Sequence, residues 1–151
     1  MNIKFYHFFN QNFEKGLIGL LSKIVEQDNN VCIIVDQDKI DYYDSKLWSA
    51  TTFSFLPHLT ENDQRLEQVP VIIASNYNDK NKPNVIVNIK SELISFDFLT
   101  DNNIDMLIEI IYSSDTDHIN ISRKKWKYYN EGNNIEIDYF KQDKNGKWNK
   151  S

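Results

Sequence analysis

Three histidines, one cysteine and a group of aspartates are the residues of this 151-residue chain that could do catalysis or bind a metal. His7, His58 and His118 lie far apart in sequence, and none has a second ligand type at metal-binding spacing. His58 is the one histidine that could act as a ligand or general base, although a hydrogen-bonded structural role is favoured. Cys32 lies in the apolar run 31–35 and is interpreted as a small buried residue.

The aspartates at positions 36, 38, 41 and 44 form an acidic cluster. A Mg²⁺ site needs carboxylates that converge from several elements, so Asp36 and Asp38 are interpreted as helix caps and Asp41 and Asp44 as solvated residues. The chain has only four glycines and contains neither a Gly-x-Gly-x-x-Gly motif nor a phosphate-binding loop. The sequence therefore predicts no catalytic residue, metal or cofactor. A nucleotide-binding α/β enzyme stays open as an alternative, on fold analogy alone.

A basic and aromatic segment at residues 122–129 is better suited to binding than to catalysis. Four cations fall within five residues: Arg123, Lys124, Lys125 and Lys127. On a helix that turns about 100° per residue, a mixed face is shared by Ile119, Ser122, Trp126 and Tyr129, and bordered by Arg123 and Lys127. An apolar surface with a cationic rim suits a short acidic peptide with a hydrophobic end, because Arg can bind a carboxylate bidentately.

Two other interpretations of this segment stay open. The helix could pack through Trp126 and Tyr129 and leave its cations in water. Alternatively, it could bind single-stranded nucleic acid directly, with bases stacked on the rings and phosphates on the lysines. The net charge of −5 argues against a protein whose whole surface binds phosphates, because such binding is driven by clustered Lys and Arg.

Apolar runs and periodicities predict the elements that position these residues. We expect strands at residues 3–9, 31–35, 71–74, 85–89 and 134–140, the last as an edge strand. The apolar run 106–112 could be a helix or a strand, and a strand is favoured. We expect helices at 12–28 (with Asn12 as its cap), at about 36–49 and at 118–131, and a helical turn at 96–99. Residues 59–69 are predicted to be an exposed polar loop, and residues 141–151 a flexible tail.

Alternating strands and helices, with several strands apolar throughout, predict an α/β fold. We expect residues 1–151 to form a single-domain three-layer sandwich, with a mostly parallel, Rossmann-like sheet and helices on both faces. The N-terminus does not resemble a signal peptide, and no apolar run approaches the roughly 20 residues of a membrane span. A cytoplasmic location is therefore expected.

Large aromatic residues flank a short polar loop after the second predicted helix. The pattern is Leu47-Trp48, then Phe55-Leu56-Pro57-His58, then the strand Pro70-Val71-Ile72-Ile73. Either the rings fill the core, or they form a contact with a partner. With the strand 84–89 and the helix pattern Arg123, Trp126, Lys127, Tyr129 and Gly132, this order and spacing resembles the chi subunit of bacterial DNA polymerase III holoenzyme. The resemblance covers about residues 3–140.

The resemblance implies a non-catalytic accessory subunit with two binding surfaces. Trp48 and Phe55 match the aromatic pair that faces the psi subunit of the clamp loader, a surface for which a repair helicase could compete. The pocket for the C-terminal tail of single-stranded DNA-binding protein would comprise Arg123, Trp126, Lys127, Tyr129 and, as a weaker match, Tyr112. DNA would be contacted only indirectly, and no membrane is involved.

Two positions depart from the family pattern. Ile119 stands where some chi proteins have Lys, and Asn130 where Arg is frequent. Fewer cations should weaken attraction to an acidic tail, so Lys124 or Lys125 would have to compensate.

Overall fold

The computed structural model describes residues 1–9, 13–49, 56–132 and 135–151. In these residues eight strands form one sheet: β1 (Asn2–His7), β2 (Val31–Ile34), β3 (His58–Thr60), β4 (Val71–Ala74), β5 (Val85–Asn88), β6 (Met106–Ile111), β7 (Glu136–Gln142) and β8 (Trp148–Lys150). The helices are α1 (Phe13–Glu26), α2 (Ile40–Ser49), α3 (Phe96–Asp101) and α4 (Thr116–Asn130), with short 3₁₀ turns at Gln37–Lys39 and Leu66–Gln68. The predicted cap Asn12 lies outside the described residues.

The strand order is β3-β4-β2-β5-β6-β1-β7-β8, and every neighbouring pair is parallel except β7 with β8. A parallel sheet needs cover on both faces, which explains why β2, β4 and β5 are buried at every position. The prediction of a mostly parallel α/β sandwich is confirmed.

Alternation along the strands divides the core into two layers. Val31 and Ile33 pack with α1 and α2 on one face, whereas Cys32 and Ile34 face the layer that contains residues of α3 and α4. Burial raises the pKa of the Cys32 thiol to about 11, as expected for a thiol in an apolar strand.

Two predictions about the edges of the sheet are wrong. The segment predicted as an exposed loop begins with β3, which pairs with β4 at one edge, and Leu66 in the following 3₁₀ turn is buried. At the other end, β7 is internal, because β1 lies on one side of it and β8 on the other. Strands as short as β3 and β8 are too brief to show a period of two.

Residues 141–151, predicted to be a flexible tail, instead contain the end of β7, a turn and β8, which together form a hairpin. β7 continues to Gln142, and a turn with Gly146 at φ 83° leads into β8. The Trp148 ring packs edge-on against Tyr6 and Phe8, at centroid distances of 5.3 and 4.8 Å. The hairpin thus packs against residues more than 130 positions earlier in the chain. The composition of a polar segment does not show such long-range contacts.

A buried ion pair joins α4 to the middle of the sheet. Lys125, predicted to lie at the surface, donates from Nζ to Glu109 Oε2 at 2.9 Å and to the Lys90 carbonyl at 2.7 Å. The Asn88 amide donates to Glu109 Oε1 at 3.0 Å. Burial raises the pKa of Glu109, while the Lys125 ammonium and the Asn88 amide act in the opposite direction.

Tyr129 completes this network one turn further along α4. Its hydroxyl donates to the Ile94 carbonyl at 2.8 Å and lies 3.5 Å from Glu109 Oε1. After α4, Gly132 lets the chain pass the Phe96 ring, because a Cβ there would lie 2.5 Å from it. These contacts fix both the rotation of α4 and its height above the sheet.

We expect Lys125→Met to lower the free energy of unfolding by about 3–5 kcal/mol, because it leaves the buried Glu109 carboxylate without its cation. Urea denaturation followed by tryptophan fluorescence measures the loss. Lys124→Met, an exposed neighbour with the same charge change, should cost less than about 1 kcal/mol. Equal losses in the two variants would contradict the structural role of the pair.

Candidate functional site

A cavity of about 400 Å³ opens between α4 and the strands β1, β6 and β7. Eight residues line it: His7, Ile111, Ile119, Ser122, Arg123, Trp126, Tyr139 and Lys141. Among the described residues that line this cavity, none is acidic. Its volume falls within the range of small-ligand pockets, and its lining combines apolar groups with cations.

One wall of the cavity is a single face of α4. Ile119, Ser122, Arg123 and Trp126 are spaced at i, i+3, i+4 and i+7, so they lie along one stripe of the helix. Ser122 is buried and donates to the His118 carbonyl at 3.0 Å. Arg123 is exposed, and the Trp126 side chain is 41% exposed. The predicted pairing of Arg123 with Trp126 at one site is therefore present.

The other wall is formed by the strands. Alternation turns Tyr139 and Lys141 of β7, and His7 of β1, toward the layer of α4, whereas Phe140 and Gln142 line a separate groove on the opposite face. His7 Nδ1 lies 2.6 Å from the Tyr139 hydroxyl. Burial raises the pKa of Tyr139, and the nearby Arg123 guanidinium partly offsets this rise.

Tyr129 and Tyr112 do not line the cavity that holds Arg123. Tyr129 is fully buried and supports α4 from beneath, because it points into the layer of α3 and α4. Tyr112 follows β6 on the opposite face and packs against Phe13 in another cavity. The residue of β6 that lines the site is Ile111, one position earlier, because neighbouring residues of a strand face opposite ways.

The remaining cations of α4 also lie away from the cavity. Lys127 is exposed but does not line it, and Lys124 lines a small cavity beside Leu93. Lys125 is held by Glu109 and cannot compensate for the departures at Ile119 and Asn130. Arg123 is thus the only cation that α4 presents to this cavity.

Trp48 lies at the end of α2 and is 45% exposed. Its ring packs against that of His58 at a centroid distance of 4.2 Å, tilted by 35°, and its indole N–H donates to Asp44 Oδ1 at 3.1 Å. The buried His58 ring places Nε2 3.3 Å from the same carboxylate oxygen and Nδ1 2.8 Å from the Leu56 carbonyl. These contacts give His58 a structural role, as predicted. Phe55, expected beside Trp48, lies outside the described residues.

Two kinds of feature are absent from the described part of the chain. Within it, no three His, Cys, Asp or Glu side chains converge as a metal site would require. Across the same residues, no helix has the length and apolar character needed to cross a membrane.

The fold and the cavity define an α/β protein with a mostly parallel sheet and a partly basic, aromatic-lined groove beside its last helix. A family model described as DNA polymerase III chi subunit, HolC, matches residues 1–136, and the chain belongs to this family. No curated protein matches the chain. Chi subunits are accessory replication subunits of the polymerase III holoenzyme, as the sequence resemblance implied.

Four residues of the cavity were not predicted from the sequence: His7, Ile111, Tyr139 and Lys141. Tyr139 lies in the predicted strand 134–140, whereas Lys141 fell in the segment predicted to be a flexible tail, although β7 continues to Gln142. The sequence does not show that β7 pairs with β1 and passes beneath α4, since that pairing joins opposite ends of the chain.

We expect His118 to titrate below the usual histidine value of about 6.5. Burial is the largest cause of its lowered pKa, followed by the Lys125 ammonium, and Nε2 must stay unprotonated to accept the Tyr112 N–H at 3.2 Å. Because the pKa of His118 is lower in the folded protein, the unfolded state takes up the proton at a higher pH. The free energy of unfolding should therefore fall as the pH drops below about 6.5. Histidine NMR titration tests the pKa, and His118→Gln should reduce the loss of stability between pH 7.5 and 5.5. A pKa at or above 6.5 would contradict this assignment.

Proposed function

We propose that this protein links the clamp loader, through the psi subunit, to the C-terminal tail of single-stranded DNA-binding protein. It acts as a non-catalytic tether in the cytoplasm. The observation that carries the proposal is the open cavity where exposed Arg123 and Trp126 lie together with no acidic neighbour among the described lining residues.

The cavity matches an acidic tail with a hydrophobic end. Arg123 can bind a carboxylate through two parallel hydrogen bonds. Ile111, Ile119 and Trp126 provide an apolar surface for a side chain such as Phe. A contact of this kind, open to solvent, should have micromolar affinity and weaken as salt rises.

The second surface is the end of α2. Trp48 exposes nearly half of its side chain while His58 and Asp44 hold the ring in position. A large, oriented and partly exposed aromatic ring is the type of residue that anchors protein interfaces. This supports docking of psi at Trp48, with Phe55 as the expected neighbour, and a repair helicase would compete for the same residues.

Two weak contacts on one molecule can hold a large assembly together. When psi is bound at one surface, the tail binds at the other as a nearly intramolecular event. Many tails on coated DNA would then keep the polymerase nearby without any chemical step in this chain.

Two rivals make different predictions. A nucleotide-binding enzyme would gain thermal stability from nucleotides, since ligands that bind the native state stabilise it. A direct single-strand binder would retard an oligonucleotide without a partner. A tether shows neither effect and binds a peptide that ends in acidic residues and Phe.

We expect Arg123→Ala to weaken binding of a fluorescent peptide with an acidic, Phe-terminated sequence by about tenfold, because a charge-assisted bidentate contact is lost. Fluorescence anisotropy measures the affinity. Lys124→Ala removes the same charge from the adjacent position outside the cavity and should change it less than twofold. If both variants lose affinity equally, net charge rather than this cavity governs binding, and the pocket is wrong.

Trp48→Ala should weaken binding of psi by at least about tenfold, because truncation of a hot-spot residue, a class enriched in Trp, costs about 2 kcal/mol or more. Tyr42→Ala is the matched control, since Tyr42 is a similarly exposed aromatic on the same helix, at 41%. Titration calorimetry measures affinity, and circular dichroism checks that both variants are folded. A folded Trp48→Ala protein with wild-type affinity would remove this surface from the proposal.

A further inference from the structure

We infer that Lys141 of β7 is the second cation of the cavity, an inference that rests on the proposed function. An acidic peptide would then be bound between Arg123 on the helix and Lys141 on the sheet. The site would then select a ligand with at least two acidic groups and one apolar side chain. The two cations come from opposite walls, so each can bind a different carboxylate.

The position of Lys141 is fixed by the sheet. It pairs in register with His7 of β1, and alternation places its side chain on the same face as Tyr139. Its ammonium lies 5.0 Å from the centre of the Phe9 ring, a distance typical of a cation–π contact. The β7–β8 hairpin, anchored by Trp148, keeps this part of β7 in the sheet.

Lys141 and Arg123 are both available to a ligand. In the described part of the chain neither forms an ion pair, and both are exposed. By contrast, Lys150 on the same hairpin is paired with Asp138, which alternation places on the other face of β7.

Histidine does not provide the second charge at neutral pH. The pKa of His7 is lowered by burial and then by the cation of Lys141 and by His118. His7 is therefore neutral near pH 7 and hydrogen-bonds to Tyr139. This leaves Arg123 and Lys141 as the charged groups among the described residues that line the cavity.

Both Tyr139 and Lys141 lie beyond residue 136, where the match to the family model ends. Lys141 belongs to the C-terminal β7–β8 hairpin, and truncation of the hairpin would remove the second cation.

The test is anisotropy titration of the same acidic, Phe-terminated peptide with Lys141→Ala, which we expect to bind about two- to fivefold more weakly, as for a solvent-exposed charge pair. Lys144→Ala, at the exposed turn of the same hairpin, is the matched control and should bind as the wild type does. A peptide with one acidic group left should bind Lys141→Ala and wild type equally, because only Arg123 is then engaged.

A second measurement separates a direct role from a structural one. Removing the Lys141 cation should raise the pKa of His7. Adding the acidic, Phe-terminated peptide to the wild type should also raise this pKa, because a bound carboxylate lies in the same cavity. Histidine NMR titration records both shifts.

The outcomes distinguish this inference from the proposed function. If Arg123→Ala loses affinity while Lys141→Ala equals Lys144→Ala, the tail pocket stands and the second cation is overturned. If Arg123→Ala and Lys141→Ala both bind as the wild type does, the proposed function of this cavity fails as well.

Discussion

The buried ion pair between Lys125 and Glu109 is the interaction on which the geometry of the cavity beside α4 depends. Removing two charges from water is costly, so the pair is tolerated only because the Lys90 carbonyl and the Asn88 amide satisfy its remaining hydrogen bonds. Because Lys125 must face Glu109, α4 packs on the sheet in a single orientation about its own axis. That rotation turns Arg123 and Trp126 outward over β1 and β7, and Tyr129 inward.

The two proposed binding surfaces are built on the same principle. At each, a partly exposed tryptophan belongs to the final turns of a helix, and a polar side chain of that helix together with one from a neighbouring strand holds it in place. Asp44 and His58 do this for Trp48, and Glu109 with Lys125 does it for the turn that carries Trp126. Oriented side chains lose less conformational entropy on binding, which favours weak but specific contacts.

The parts of the fold that follow local periodicity were predictable, and the parts that depend on strand order were not. Four-residue apolar runs such as Val71–Ala74 identified the central strands, and Ile40, Tyr43 and Leu47 identified the buried face of α2. The segment around Arg123 was found because cations and aromatics cluster there. The prediction that Lys125 lies at the surface is wrong, and nothing in the sequence shows that Glu109 lies buried beneath it.

The proposed tether requires that an acidic tail binds beside Trp126 and not near Trp48. The chain has three tryptophans, and their indole N–H groups give separate NMR signals that report on α2, α4 and β8. Titration of the ¹⁵N-labelled protein with the acidic, Phe-terminated peptide should shift the signal of Trp126 and leave that of Trp48 in place. A shift confined to Trp48 or Trp148 would contradict the account.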